Sequence, residues 1–438
     1  MPKNQQITLF ESISMAVGTM IGASIFSIFG VGARIAQHNL PEAFVLSGLF
    51  ALLVAYSYAK LGSEIVSNAG PIAFIISGIG DNIMTGTLSV LMWLSYVVSI
   101  ALFLKGFAGY FLPLCHIHKT PLATGLVETG LVAFFIVLNL FGGKTVGRAE
   151  LYVVIGKLTI LGIFIIGGFF SIKSSLIKPS FDPPHIKGTV NAAVIFFLSY
   201  MGFGLVTNAS ENMLNPRRNV PRAIYASIAV VMFVYVSVAL VAVGNLSIAD
   251  LMKYQENALA VAARPFLGHF GFLLISIGAL LSISSALNAT LYGGANIAYS
   301  LAKDGELPEF FERKIWFKST EGLYITGGLG LFFALLFNIG EIASITSVIF
   351  TVIYIFVIVS HYRLSDRYGG NKIFIAGSGV TLTAVVTMIL IYQWQTQKMA
   401  FWGSIITFLT ALIIEYIYRL ATKRGFKKQE MGTNGDSH

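Results

Sequence analysis

The run Ser14-Met15-Ala16-Val17-Gly18-Thr19-Met20-Ile21-Gly22-Ala23-Ser24-Ile25-Phe26 carries no charge, yet two glycines and the polar Thr19 and Ser24 interrupt it. A second run, Ser199-Tyr200-Met201-Gly202-Phe203-Gly204 followed by Thr207-Asn208, has the same character. Glycine costs about 1 kcal/mol at a helix-interior position, so a clustered pair marks a place where a helix can open. Opened backbone exposes N–H and C=O groups, which membrane depth tolerates only where they line a cavity. Interrupted helices at matching positions of two halves point to a transporter binding site. Close helix packing is the rival reading. Gly18 and Gly22 fit its small-xxx-small spacing, but the polar residues beside both pairs favour a cavity.

The rest of the chain agrees with a membrane setting. Of 438 residues 55% are apolar or aromatic and only 11% are charged, against about 25% charged in soluble domains. Mean hydropathy is +0.77. Too few charges remain for a soluble skin, so soluble enzymes, nucleic-acid binders and disulfide scaffolds are poor candidates. Cys115 is the single cysteine, which excludes an intrachain disulfide or a cysteine metal cluster. No cleavable leader pattern precedes the first apolar run, which reads as a retained helix.

Apolar runs give twelve candidate helices, at 9–36, 43–67, 84–113, 122–142, 149–172, 190–213, 222–246, 267–302, 322–338, 341–362, 372–394 and 399–420. A shorter run, 256–267, reads as a surface helix, and 427–438 as a disordered end. With the N-terminus inside, 19 Lys and Arg fall on the inner side and 9 on the outer. The positive-inside rule then predicts a multi-pass plasma-membrane protein with both termini and the 143–148, 214–222 and 303–321 loops cytoplasmic.

Helix one resembles the G-x-x-I-G-x-G-I-F signature of the amino acid–polyamine–organocation (APC) transporters. Phe196-Phe197 through Gly202-Phe203, Glu211 and Asn215-Pro216-Arg217-Arg218-Asn219-Val220-Pro221-Arg222-Ala223-Ile224 are similar to its second signature. Ala302-Lys303-Asp304-Gly305-Glu306-Leu307-Pro308 gives a third match. Asn68-Ala69-Gly70-Pro71, the 198–204 run and Lys157 look most like the family's archaeal proton-coupled amino acid transporter.

The resemblance implies an all-α membrane protein with a LeuT-like fold and broken helices one and six. Its halves are two inverted five-helix repeats, 1–172 and 190–362, followed by two helices over 372–420 and a cytoplasmic tail, 421–438. It implies a secondary transporter, not an enzyme, taking up amino acids with protons by alternating access, with the lipid bilayer, amino acid and protons as its partners. No nucleic acid, cofactor or metal is expected. A uniporter or exchanger, or a non-transporting amino acid sensor of the same fold, is the alternative. Two departures stand out: the signature's third glycine is Ser24, and the acid common after Gly-Phe in helix six is Gly204. Both favour small neutral substrates.

A zwitterion needs an anion site and a cation site a few ångström apart. Half-helix N-termini supply N–H groups for a carboxylate, here from Gly22, Ala23 and Ser24. Carbonyls of Met20 and Ile21, and those near Leu198 and Met201, face the amine. Gly202 leaves room for the substrate backbone, and Phe196, Phe197 and Phe203 are candidate lids, with ordinary packing as each one's rival role. Asn139, Asn288 and Asn296 suit interhelical hydrogen bonds.

Lys157 lies nine residues into helix five, roughly 12 Å from its end, with no charge nearby in sequence. A snorkelling stem is one reading. Intramembrane charges, however, usually face the protein interior and mark ion pathways. Resemblance places its ammonium where sodium-coupled relatives hold a cation, near the Gly18 carbonyl and Ser282 or Ser285, making Lys157 the candidate proton carrier.

Overall fold

The computed structural model describes residues 7–67, 69–140, 146–303, 307, 311 and 321–422. They form helices with no strand beyond one isolated bridge. Eleven helices are long and apolar enough to cross a membrane, and the sixteen-residue Glu321–Leu336 is a shorter apolar helix. We number the spans α1 (Leu9–Met20, resuming as Ala23–Ser27 and Phe29–Ala36), α2 (Leu40–Glu64), α3 (Ile83–Leu114), α4 (Pro121–Leu140), α5 (Val146–Phe169) and α6 (Pro183–Phe196 with its continuation to Asn208). The remainder are α7 (Pro216–Asn245), α8 (Arg264–Lys303), α9 (Glu321–Leu336), α10 (Ile339–Tyr368), α11 (Lys372–Thr396) and α12 (Lys398–Thr422).

Local chemistry sets several of the starts. Thr8 and Glu11 form a capping box at α1, and Asn338 and Glu341 form another at α10. Asn82 and Asn371 cap α3 and α11 through their side-chain oxygens.

Burial separates inner from outer helices. The apolar window of α3 is 83% buried and that of α10 72%, against 22% for α4 and 28% for α5 and α11. Outer helices bare large apolar side chains such as Leu122, Phe170, Ile373 and Trp402. In water that surface would be an aggregation patch; in a bilayer the solvent is itself apolar.

The breaks take two different forms. In α1 the helix stops at Met20 and restarts at Ala23, with Ile21 at ψ 66 and Gly22 at φ −111, ψ −138. In α6 the backbone does not unwind. Phe197–Gly204 tightens into eight residues of 3-10 helix before Leu205–Asn208 resumes. A 3-10 stretch this long is unusual and marks strain or a hinge.

Two features differ from the sequence expectation. The segment read as a surface helix over 256–267 instead yields Ala258–Ala262, all of it buried, within the 7–8 connection. Its small side chains let it sink between α8, α7 and the outer part of α1, where a surface helix would show a polar face. The next helix starts at Arg264 and kinks at Gly268, whose φ of +62 suits glycine. Residues 304–306, 308–310 and 312–320 of the 303–321 loop, the 143–148 loop up to Lys144 and Thr145, and the 427–438 tail lie outside the described residues, and with them Asp304, Gly305, Glu306 and Pro308 of the third signature.

Both ends of α1 are tied down. On one side Ile7 donates to the Asn212 carbonyl at 2.8 Å and accepts from Leu214 N–H at 2.9 Å, joining the start of α1 to the end of α6. On the other, Gly30 lies against the Gln255 backbone and Gly32 against the Phe196 ring, so close that a Cβ fits at neither.

Candidate functional site

The break in α1 and the 3-10 stretch of α6 face each other across a cavity of about 200 Å³. From α1 it is lined by Gly18, Thr19, Met20, Gly22 and Ser24, and from α6 by Leu198, Met201 and Gly202. Ser285 of α8 also reaches it. These residues, singled out from sequence, are brought together by the fold. Among the described residues no Asp, Glu, Lys, Arg or His lines this cavity.

Other residues fall elsewhere. Phe196 is fully buried and stacks on Phe44 at 4.0 Å, on the far side of the helix from the cavity. It is a packing contact that closes the outer half of α1. Phe203 backs the wall without lining it, wedged between Tyr58 at 5.3 Å and Tyr354 at 5.8 Å. Phe197 packs behind, edge-on to Tyr354 at 5.7 Å. Ala23 opens the outer part of α1, and its side chain lies outside the described residues.

Of the carbonyls assigned to a substrate amine, those of Met20 and Ile21 already accept hydrogen bonds. The Met20 carbonyl accepts from Gly22 N–H at 2.9 Å, from Ser24 Oγ at 2.9 Å and from the Tyr235 hydroxyl. The Ile21 carbonyl accepts from Ser282 Oγ at 2.9 Å. Lys157, with 4% of its surface exposed, donates from Nζ to the Gly18 carbonyl. Helices α5, α7 and α8 thus each hold one carbonyl of the four-residue stretch Gly18–Ile21. Breaking a helix frees these acceptors, and membrane depth requires that each be satisfied. Asn139 and Asn288 meet at 2.7 Å, linking α4 to α8.

Tyr235 was not legible from sequence. Fully buried on α7, its hydroxyl lies near Met20 O, Ser199 O at 3.2 Å and Ser24 Oγ at 3.3 Å, so it joins both breaks. One hydroxyl carries one proton, so it serves one carbonyl at a time. Tyr235→Phe is expected to cost about 1–3 kcal/mol, the penalty for leaving a buried acceptor unpaired, and to change turnover. Unaltered thermal unfolding and unaltered exchange rate would show the hydroxyl to be idle.

The opposite wall was equally hidden. Met92, Tyr96, Ser99 and Phe103 of α3 lie at helical spacing along one face, and Ala286, Thr290 and Gly293 of α8 do the same. Phe350 and Tyr354 come from α10 and Tyr58 from α2. Each belongs to a helix that is apolar on every side, so periodicity gives no sign of which face meets the cavity.

The sequence profile of the amino acid permease family matches residues 7–417. The chain belongs to this family. An uncharacterized protein of Methanocaldococcus jannaschii is 63% identical over 97% of this chain and 98% of its own. The inner membrane transport protein YbaT of Escherichia coli is 32% identical over 96% of this chain and 97% of its own. The methylthioribose transporter of Bacillus subtilis is 29% identical over 81% and 80%. This permease is therefore a multi-pass membrane transporter and not an enzyme, and amino acids are the substrate class its family implies.

Proposed function

We propose that this permease takes up small neutral amino acids with protons, by alternating access between two inverted five-helix halves headed by α1 and α6. The observation that carries the coupling is the Lys157 ammonium on the Gly18 carbonyl, at the mouth of the α1 break. A cation held between α5 and the break steadies α1 against the bundle as a bound metal ion would. The wall without charged side chains supports a substrate whose own side chain is neutral, because a buried charge needs a partner. Substrate carboxylate and amine then rely on backbone groups at the breaks. Proton-free Lys157 releases α1, and the inner half opens.

Uptake of a panel of labelled amino acids into proteoliposomes tests this, with the pH gradient set by hand. Accumulation should follow the pH gradient without sodium, and neutral substrates should compete best. Strict sodium dependence, or equilibration without accumulation, overturns the coupling. Counterflow without net accumulation would favour an exchanger.

The same reading puts both termini in the cytoplasm and the molecule in the plasma membrane. Cys115, exposed after α3, then faces outward. An impermeant maleimide added to intact cells should label it; labelling only after permeabilisation would invert the topology.

A further inference from the structure

A second cavity lies away from the central one. About 360 Å³ opens between the end of α3, the 7–8 connection and the start of α8, on the face that the proposed topology makes external. Its basic side chains come from three separate segments: His116 and Lys119 after α3, Lys253 from the 7–8 connection, and Arg264 and His269 from α8. The Gly268 kink sets the last two on one aromatic ring. The Arg264 guanidinium lies 4.4 Å from the centre of Phe272, and the His269 ring stacks on it at 6.2 Å.

The acids nearby are already engaged. Glu256, the one carboxylate on the wall among the described residues, pairs with Lys119. The Asp250 carboxylate accepts from the hydroxyl of Ser247, the N-cap of its helix, and Glu128 is held by Lys105 at 3.0 Å. Among the described residues neither Arg264 nor Lys253 has a carboxylate partner. Two exposed cations without a carboxylate partner and two imidazoles therefore border a cavity whose acid among the described residues is already paired. Its inner wall is apolar, with Leu114, Phe272 and Leu273. On the same helix Phe270 and Ile277 are bared.

We propose that this cavity binds a phosphate-class oxyanion. A guanidinium and an ammonium together favour phosphate, whether it is free or carried by a lipid headgroup. The apolar wall below suits the chain of such a lipid. A free phosphate in the outer medium offers the same chemistry without the chain.

The full-length protein is placed in phosphatidylcholine nanodiscs, with phosphatidylglycerol added in one arm and inorganic phosphate in the other. Retained phosphatidylglycerol is counted by native mass spectrometry, and stabilisation by phosphate is read by thermal unfolding. The Lys253→Gln/Arg264→Gln variant should lose roughly 30-fold in apparent lipid affinity, given the worth of each basic residue near a charged headgroup. The Lys398→Gln control, an exposed cation elsewhere, should match the wild type. If the double variant fails to fold, Lys253→Gln alone should lose about fivefold. Stabilisation of the wild type by free phosphate, absent in the double variant and with equal lipid retention, assigns the site to a soluble anion. Equal behaviour of wild type and folded variants in both arms overturns the proposal.

Discussion

Lys157→Ala is expected to give a folded permease that binds substrate but no longer accumulates it when a pH gradient is the only driving force. Lys157 Nζ donates to the carbonyl of Gly18, and Ser282 holds that of Ile21 three residues on. A buried ammonium is stable only while such partners compensate its lost hydration. In the proposed mechanism α1 carries the Gly18 carbonyl away from Lys157 as it swings, so that helix movement and proton release are coupled. Alanine removes the proton and leaves the cavity wall intact, because Lys157 is not part of it. In proteoliposomes the accumulation ratio should fall to unity while counterflow persists. Accumulation at the wild-type level would assign the coupling to another group. Lys157→Gln, which keeps a hydrogen-bond donor but no titrating proton, should restore stability without restoring accumulation.

Gly202 is the second site of large effect. A Cβ there would meet the backbone nitrogen and Cγ of Met20 at 2.8 Å, and Thr19 Cβ at 3.1 Å. Backbone cannot swing aside as a flexible side chain does. Gly202→Ala therefore drives the two breaks apart, and Gly202→Val fills the cavity as well. Overpacking of this kind costs about 1–3 kcal/mol or more, so affinity should fall roughly ten- to hundredfold for Gly202→Ala and further for Gly202→Val. Gly22 behaves differently: its nearest neighbours are Ala286 Cβ and Thr19 O at 3.3 Å. Gly22→Ala should be partly tolerated, whereas Gly22→Val should abolish binding. Scintillation proximity binding in detergent separates the cases. Wild-type affinity in Gly202→Val would mean that the glycine serves helix packing alone.

Much of this was legible in the chain itself. Charge poverty required a membrane solvent, and apolar runs placed the twelve helices with ends off by at most seven residues. Glycine beside polar residues in Gly18–Ser24 and Ser199–Gly204 located the breaks, because glycine in a membrane helix is costly unless the backbone is used. A charge in mid-span made Lys157 conspicuous, since burying an ammonium needs a local compensation.

Tertiary structure alone decided the rest. Nothing in the sequence says that α6 tightens into a 3-10 stretch and does not open, because the difference is a small change in ψ shared over eight residues. Phe196 and Phe203 looked alike as candidate lids, yet one packs under Gly32 and the other behind the cavity. Which aromatic residue faces a cavity depends on helix rotation, and a helix apolar on all sides carries no record of its rotation. Tyr235 is the clearest case. Its hydroxyl matters because Met20 O and Ser199 O converge on it from 215 and 36 residues away. Local sequence determines which backbone groups are freed by a break; only the packed bundle determines what comes to meet them.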